Sequence, residues 1–256
     1  MNLEIKKLSK SFGKLKVLNE IDLSIRQAGT YAVLGPNGSG KTTLMKSILG
    51  MVLPEFGSIA INGQSIKGAH AYRDKIDYLP QIARFPENLK VNELFTLIKE
   101  LRTGETRDEA LIKRFEIEPF LDKKLGNLSG GTRQKVNLIQ AFMFDNPLVV
   151  LDEPTTGLDP LSLVKLKELI REEQAKDKTI IITSHIMDFV EEMADQIIFL
   201  MEGKIYFNGS LHELNDKFKT SKLEQTIAKI LKEQKEQGRQ DGDEAYLTPL
   251  KELSHV

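Results

Sequence analysis

The chain has 256 residues, 40% hydrophobic and 29% charged, enough to bury a sizeable core in one large domain or two small ones. Thirty-six Lys and Arg against 37 Asp and Glu leave a net charge of -1, which excludes a global field drawing the protein to nucleic acid or an anionic bilayer. With no cysteine there is no disulfide framework and no thiolate metal ligand, which fits a reducing compartment, cytoplasm by default.

The N-terminal stretch Met1 to Lys10 alternates Leu3, Ile5 and Leu8 with charged residues and lacks the apolar core of a signal peptide, so neither cleavage nor export is expected. Period-2 runs at Leu3 to Leu8, Val17 to Ile25 and Gly57 to Ile61 predict an antiparallel β portion. Continuous apolar runs at Tyr31 to Leu34, Leu148 to Leu151 and Thr179 to Thr183 predict strands buried on both faces. Helical patterns follow them at Thr42 to Leu49, Leu161 to Arg171 and Met187 to Met193. That alternation implies an α/β core with a mostly parallel sheet wrapped by helices. From about 84 to 127 the pattern is helical only (Val91 to Leu101, Arg107 to Phe115), which predicts a helical subdomain inserted into the core. After Ser210 the composition turns to Lys, Glu and Gln, and 219–256 reads as a charged, partly disordered tail. No apolar stretch approaches the ~18 to 20 residues of a spanning helix, so any membrane span would come from another chain.

The chemistry starts at Gly35-Pro36-Asn37-Gly38-Ser39-Gly40-Lys41-Thr42, followed by Thr43, between a buried strand and a helix. Glycines let backbone N–H groups close around a β-phosphate, the helix N-terminus adds positive potential, Lys41 reaches the β- and γ-phosphates, and Thr42 offers its hydroxyl to Mg²⁺. At the end of the run Leu148-Val-Val-Leu-Asp152-Glu153, Asp152 can hold the Mg²⁺ shell and Glu153 can orient and deprotonate the attacking water. Acidic residues at a strand end are often only solvated, and the phosphate loop is what reverses that reading.

A third motif, Leu128-Ser129-Gly130-Gly131-Thr132-Arg133-Gln134, precedes an amphipathic helix running to about Phe144 and builds a second anion-ready helix N-terminus. One nucleotide rarely needs two such cradles from one chain. Here the sequence resembles the ABC ATPase family over approximately Met1 to Leu214, with all motifs in family order. The resemblance implies an ATPase domain over 1–218, a second ATPase protomer, identical or paralogous, and an ATP-sandwiched dimer in which Ser129, Gly130 and Gly131 of one protomer cover the γ-phosphate held by the other. It implies integral membrane permease subunits as partners and a peripheral place on the cytoplasmic face of the cell membrane, with no nucleic acid bound.

Other positions carry over singly. Phe12, in Ser11-Phe12-Gly13, matches the aromatic residue that stacks on adenine. Gln81, in Tyr78-Leu-Pro-Gln81, matches the glutamine that touches Mg²⁺ and the attacking water. Asp159, in Gly157-Leu-Asp159-Pro, matches the residue that communicates across the dimer, and His185, in Thr183-Ser184-His185, matches the switch histidine at the γ-phosphate. Thr132 departs from the pattern, where the family commonly has Gln. The stretch Gln81 to Val91, with Gly131 to Asn137 and His185-Ile-Met187, looks like the ATPase of the copper-processing ABC system that matures nitrous-oxide reductase. The rival readings are an exporter ATPase for drugs, lipids or polysaccharide, and a soluble ABC ATPase. A soluble relative would carry coiled-coil arms or two cassettes, and a degenerate cassette would lack Lys41, Glu153 or His185.

Overall fold

In the computed structural model, which describes residues 1–240, the alternating N-terminal runs become one sheet and the continuous apolar runs another. β1 (Leu3–Phe12) and β2 (Leu15–Ile25) form a hairpin, β3 (Gly29–Leu34) leaves for the second sheet, and β4 (Phe56–Ile61) and β5 (Gln64–Ser65) return to the first. The register sets Leu3 opposite Ile25 and Ile61, and Ile5 opposite Leu23 and Ile59, so one face of the antiparallel sheet is a continuous apolar row.

The second sheet adds β6 (Ile76–Leu79), β7 (Leu148–Asp152), β8 (Thr179–Thr183), β9 (Gln196–Met201) and β10 (Lys204–Gly209), in the order β10-β9-β3-β8-β7-β6. All neighbours run parallel except the β9–β10 hairpin. Leu148, Val150 and Ile181 point into a core shared with the antiparallel sheet and α1 (Lys41–Ile48). Val149, Leu151, Ile180 and Ile182 point into a second core with α2 (Val91–Leu101), α3 (Asp108–Phe115), α4 (Gly130–Phe142), α5 (Pro160–Gln174) and α6 (Met187–Met193). Burial on both faces is why these strands read as unbroken apolar runs.

The strand order has a functional consequence. Because β3, β8, β7 and β6 are parallel neighbours, the segments leaving their C-terminal ends emerge on one edge of the sheet. Those segments carry the phosphate loop, His185, Glu153 and Gln81 respectively.

The chain divides into two compact units, Met1–Leu211 and His212–Val256. The second comprises most of α7 (Leu211–Phe218) and then α8 (Leu223–Gln240), in which Thr226 Oγ1 donates to Asn215 Oδ1 at 2.9 Å and Lys229 Nζ to the Phe218 carbonyl at 3.0 Å. Thus 223–240 is helical where composition pointed to a partly disordered tail, and the rest of that expectation lies outside the described residues. Among the described residues no helix is long and apolar enough to cross a membrane.

At the opposite edge of the sheet from the functional loops, Asp77 in β6 is fully buried. Its Oδ1 accepts from Asn146 Nδ2 at 2.6 Å and Arg102 Nη1 at 3.4 Å, and its Oδ2 has no hydrogen-bond partner among the described residues. Burial pushes this carboxyl up to about 6 against the opposing pull of Asn146, Arg102 and Lys178. The raised value means the stability contributed by the protonated form is present in acid and lost as pH rises through about 6. Asp77→Asn should therefore gain thermal stability relative to the wild type as pH rises from about 4.5 to 7.5. A difference in melting temperature that does not vary with pH would contradict this.

Candidate functional site

The loop between β3 and α1 is shaped by what crowds it. Gly35 sits at φ +146°, and a Cβ there would lie 1.9 Å from the Leu200 carbonyl oxygen of β9. Gly40, at φ +103°, would place a Cβ 2.8 Å from the Val17 carbonyl oxygen of β2. Both positions admit only glycine, for backbone sign and for space. Gly40 caps α1 without any side-chain bond, so the first N–H groups of the helix are left for an anion. Lys41 Nζ donates to the Gly35 and Pro36 carbonyls at 2.7 and 3.0 Å. Burial pushes its pKa below the ordinary lysine value, and Glu153 and Asp152 oppose that shift.

β7 delivers the two carboxylates. Asp152 Oδ1 accepts from Thr183 Oγ1 of β8 at 2.5 Å. Glu153 adopts φ +54°, an uncommon left-handed conformation for a residue with a side chain, and its N–H donates to Thr183 O and Thr183 Oγ1 at 3.2 and 3.0 Å. The turn brings Glu153 Oε2 to within 3.3 Å of the His185 backbone N–H and Oε1 to 3.1 Å from His185 Nε2. Burial pushes the Glu153 carboxyl above the ordinary glutamate value, and Asp152 adds to the rise while His185 and Lys41 resist it.

These groups share a cleft of about 260 Å³ lined by Asn37, Gly38, Ser39, Gly40, Lys41, Thr42, Thr43, Gln81, Asp152, Glu153 and His185, with Leu15 and Val17 as its apolar wall. Gly35 and Pro36 hold Lys41 from behind. Ser129, Gly130, Gly131, Asp159 and Phe12 are not among its lining residues. Ser129 caps α4, its Oγ accepting the Thr132 N–H at 3.2 Å. Asp159 caps α5, accepting from Ser162 N and Ser162 Oγ at 2.8 Å each and pairing with Lys135 of α4 at 3.0 Å. Those bonds, Ser162 first, hold its carboxyl well below the usual carboxylate range.

A family profile described as "ABC transporter" matches residues 18–156, more than half of the chain. The chain belongs to the ABC transporter family. A profile for an AAA domain also matches residues 124–191. The Nod factor export ATP-binding protein I of Burkholderia lata is 33% identical over 219 residues, covering 83% of this chain and 72% of the relative. The uncharacterized ABC transporter ATP-binding protein YhaQ of Bacillus subtilis is 33% identical over 221 residues, covering 84% and 74%. A solved structure titled as an ATP-binding subunit of an ABC transporter superposes with a TM-score of 0.83 at 29% identity, covering 90% of this chain and all of that one. The ADP conformation of MJ1267, an ATP-binding cassette of an ABC transporter, superposes with a TM-score of 0.70 at 25% identity. The protein is therefore an ATP-binding subunit of an ABC transporter, with the fold and the ATPase class of that family.

Within this ABC ATPase, the phosphate loop, Gln81, Asp152, Glu153 and His185 meet in one cleft, whereas the Ser129–Gly131 segment belongs to a second locus. That locus is tied together by close approach. A Cβ on Gly131 would lie 2.9 Å from the Gly157 carbonyl oxygen, and the buried Gln134 Nε2 donates to the Pro154 carbonyl at 3.1 Å. Phe12 stands exposed at the tip of the β1–β2 hairpin, directly opposite Leu15, with Lys10 Nζ 5.3 Å from its ring centroid. Sequence reasoning passed over Leu15, Val17, Lys135 and the Thr183 hydroxyl. Leu15 could have been found as the apolar residue that a two-residue turn, Gly13-Lys14, must place across from Phe12.

Proposed function

We propose that this ABC ATPase binds ATP with Mg²⁺ in the cleft at the C-terminal edge of the parallel sheet, hydrolyses it with Glu153 as general base, and acts as a face-to-face pair of protomers. The observation that carries the reading is the separation of two anion-ready helix N-termini: α1 opens into the cleft with Lys41 and Glu153, and α4, capped by Ser129, does not line it. A second protomer would bring Ser129, Gly130 and Gly131 to the γ-phosphate. Asn37 to Thr43 would hold the phosphates, with Lys41 exchanging its carbonyl partners for phosphate oxygens. Phe12, with Leu15 and Val17, would hold the base, His185 would meet the γ-phosphate, and Asp159 would face the partner.

The donor set suits a hard divalent cation: the Thr42 hydroxyl, the Gln81 amide and Asp152, one of whose oxygens is held by Thr183. When bound, Mg²⁺ would neutralise charge developing on the phosphates. Glu153, raised in basicity by burial, would accept the proton of the attacking water, and His185 would hold its carboxylate in place.

ATP binding would then draw two protomers together and hydrolysis would release them, moving integral permease subunits at the cytoplasmic face of the membrane. For cargo, the relatives named for export favour an exporter. The stretch Gln81 to Val91 favours the second reading, a copper-processing system for nitrous-oxide reductase maturation. The permease that copurifies from membranes, and whether it accompanies a periplasmic copper protein, decides between them. The dimer is tested by light scattering of Glu153→Gln, expected to be dimeric with ATP, against Glu153→Gln with Ser129→Arg, expected to be monomeric. Equal ATP-dependent dimerisation of the two would remove Ser129 from the interface.

A further inference from the structure

Two helices of this chain satisfy their first turns in different ways. In α2 the third residue is Glu93, whose Oε2 accepts the backbone N–H of Lys90 at 2.8 Å, the return contact of a capping box. In α4 the third residue is Thr132, too short to make that return. Its hydroxyl meets the side chain of the capping residue instead: Thr132 Oγ1 lies 2.8 Å from Ser129 Oγ, while the Thr132 N–H donates to the same oxygen at 3.2 Å. Ser129 is exposed and Thr132 half-buried, so the pair has an outer and an inner member.

A serine hydroxyl has one proton to donate and two lone pairs to accept with. If Ser129 donated to Thr132, its proton would point back along the helix and a lone pair would face any approaching anion, which is repulsive. If Thr132 donates, the backbone N–H and the threonine hydroxyl together fill both acceptor positions of Ser129 Oγ. The serine proton then has only outward destinations, and the aligned O–H dipoles strengthen it as a donor. We propose that Thr132 is a positioning residue for Ser129, setting the direction of its hydroxyl proton toward the γ-phosphate bound by the partner protomer. This rests on the composite-site reading above. It makes the departure at Thr132 a substitute for the backbone return contact rather than a defect in the signature.

The test is phosphate release by Thr132→Val, Thr132→Ala, Thr132→Ser, Ser129→Ala and the double variant Ser129→Ala/Thr132→Val. Valine keeps the shape of threonine without the hydroxyl, so Thr132→Val should lower kcat about tenfold, the effect of one hydrogen bond lost in the transition state. Thr132→Ala should match it, and Thr132→Ser should restore turnover. The double variant should be no slower than Ser129→Ala, because the threonine acts only through the serine. Multiplying losses in the double variant, or wild-type kcat in Thr132→Val, overturns the positioning role and leaves the composite site standing. Wild-type kcat in Ser129→Ala would instead overturn the composite site and the inference with it.

Discussion

Replacing Glu153 by Gln is expected to lower ATP hydrolysis by ~10² or more while ATP binding is retained. The backbone around this residue is over-determined: φ +54° is held by two contacts from its N–H to Thr183, and its carboxylate is fixed between the His185 N–H and Nε2. Glutamine can occupy the same place and still accept from the His185 N–H, so the pocket and the phosphate loop survive. What is lost is a proton acceptor, and one whose basicity burial has raised above that of an ordinary glutamate. The sign of the pH effect follows. The wild type needs Glu153 ionised, so its rate should fall with acidity in a window above the usual glutamate range, and the residual rate of the variant should lack that limb. Phosphate release and nucleotide retention measured on the same preparation check both halves, and near-wild-type turnover would remove Glu153 from the role of base.

Lys41→Ala should abolish turnover and weaken ATP binding, at about 1.5–3 kcal/mol for each charged hydrogen bond lost. Its ammonium is seated on the Gly35 and Pro36 carbonyls, inside the loop that would receive the phosphates. Removing it therefore takes away both a phosphate contact and the strut that ties the start of the loop to the first turn of α1. It also removes a cation that holds the Glu153 carboxyl down, so any residual activity should shift its acid limb to higher pH. Calorimetry with ATP is the direct check, and an unchanged affinity would contradict the placement of Lys41.

Much of the core was legible because its physics is local. Leu148 to Leu151 and Ile180 to Ile182 are apolar without interruption since both faces are covered, and Met187 to Met193 and Val91 to Leu101 coincide with observed helices. β6 was not legible: Asp77 interrupts a run of only four residues, and its burial depends on Asn146 and Arg102, distant in sequence. α8 was hidden by composition, although Leu223, Thr226 and Ile230 are buried at helical spacing. The site residues could be chosen from motifs, but their meeting could not. His185 reaches Glu153 only because β8 lies between β3 and β7, an order that no local pattern encodes. The same limit applied to Leu15, whose place in the cleft depends on where the hairpin tip falls relative to the phosphate loop.

The segment from Glu153 to Asp159 touches both loci of the chain. It begins at the carboxylate in the cleft, presents the Pro154 carbonyl to Gln134 and the Gly157 carbonyl to Gly131, and ends at Asp159 paired with Lys135 of α4. In the proposed pair of protomers, α4 serves the neighbour's nucleotide while Glu153 serves its own. Seven residues of one chain would thus join the base of one reaction to the lid of the other. Occupancy of the two sites would be thermodynamically linked, each nucleotide raising the affinity for its counterpart by the same factor.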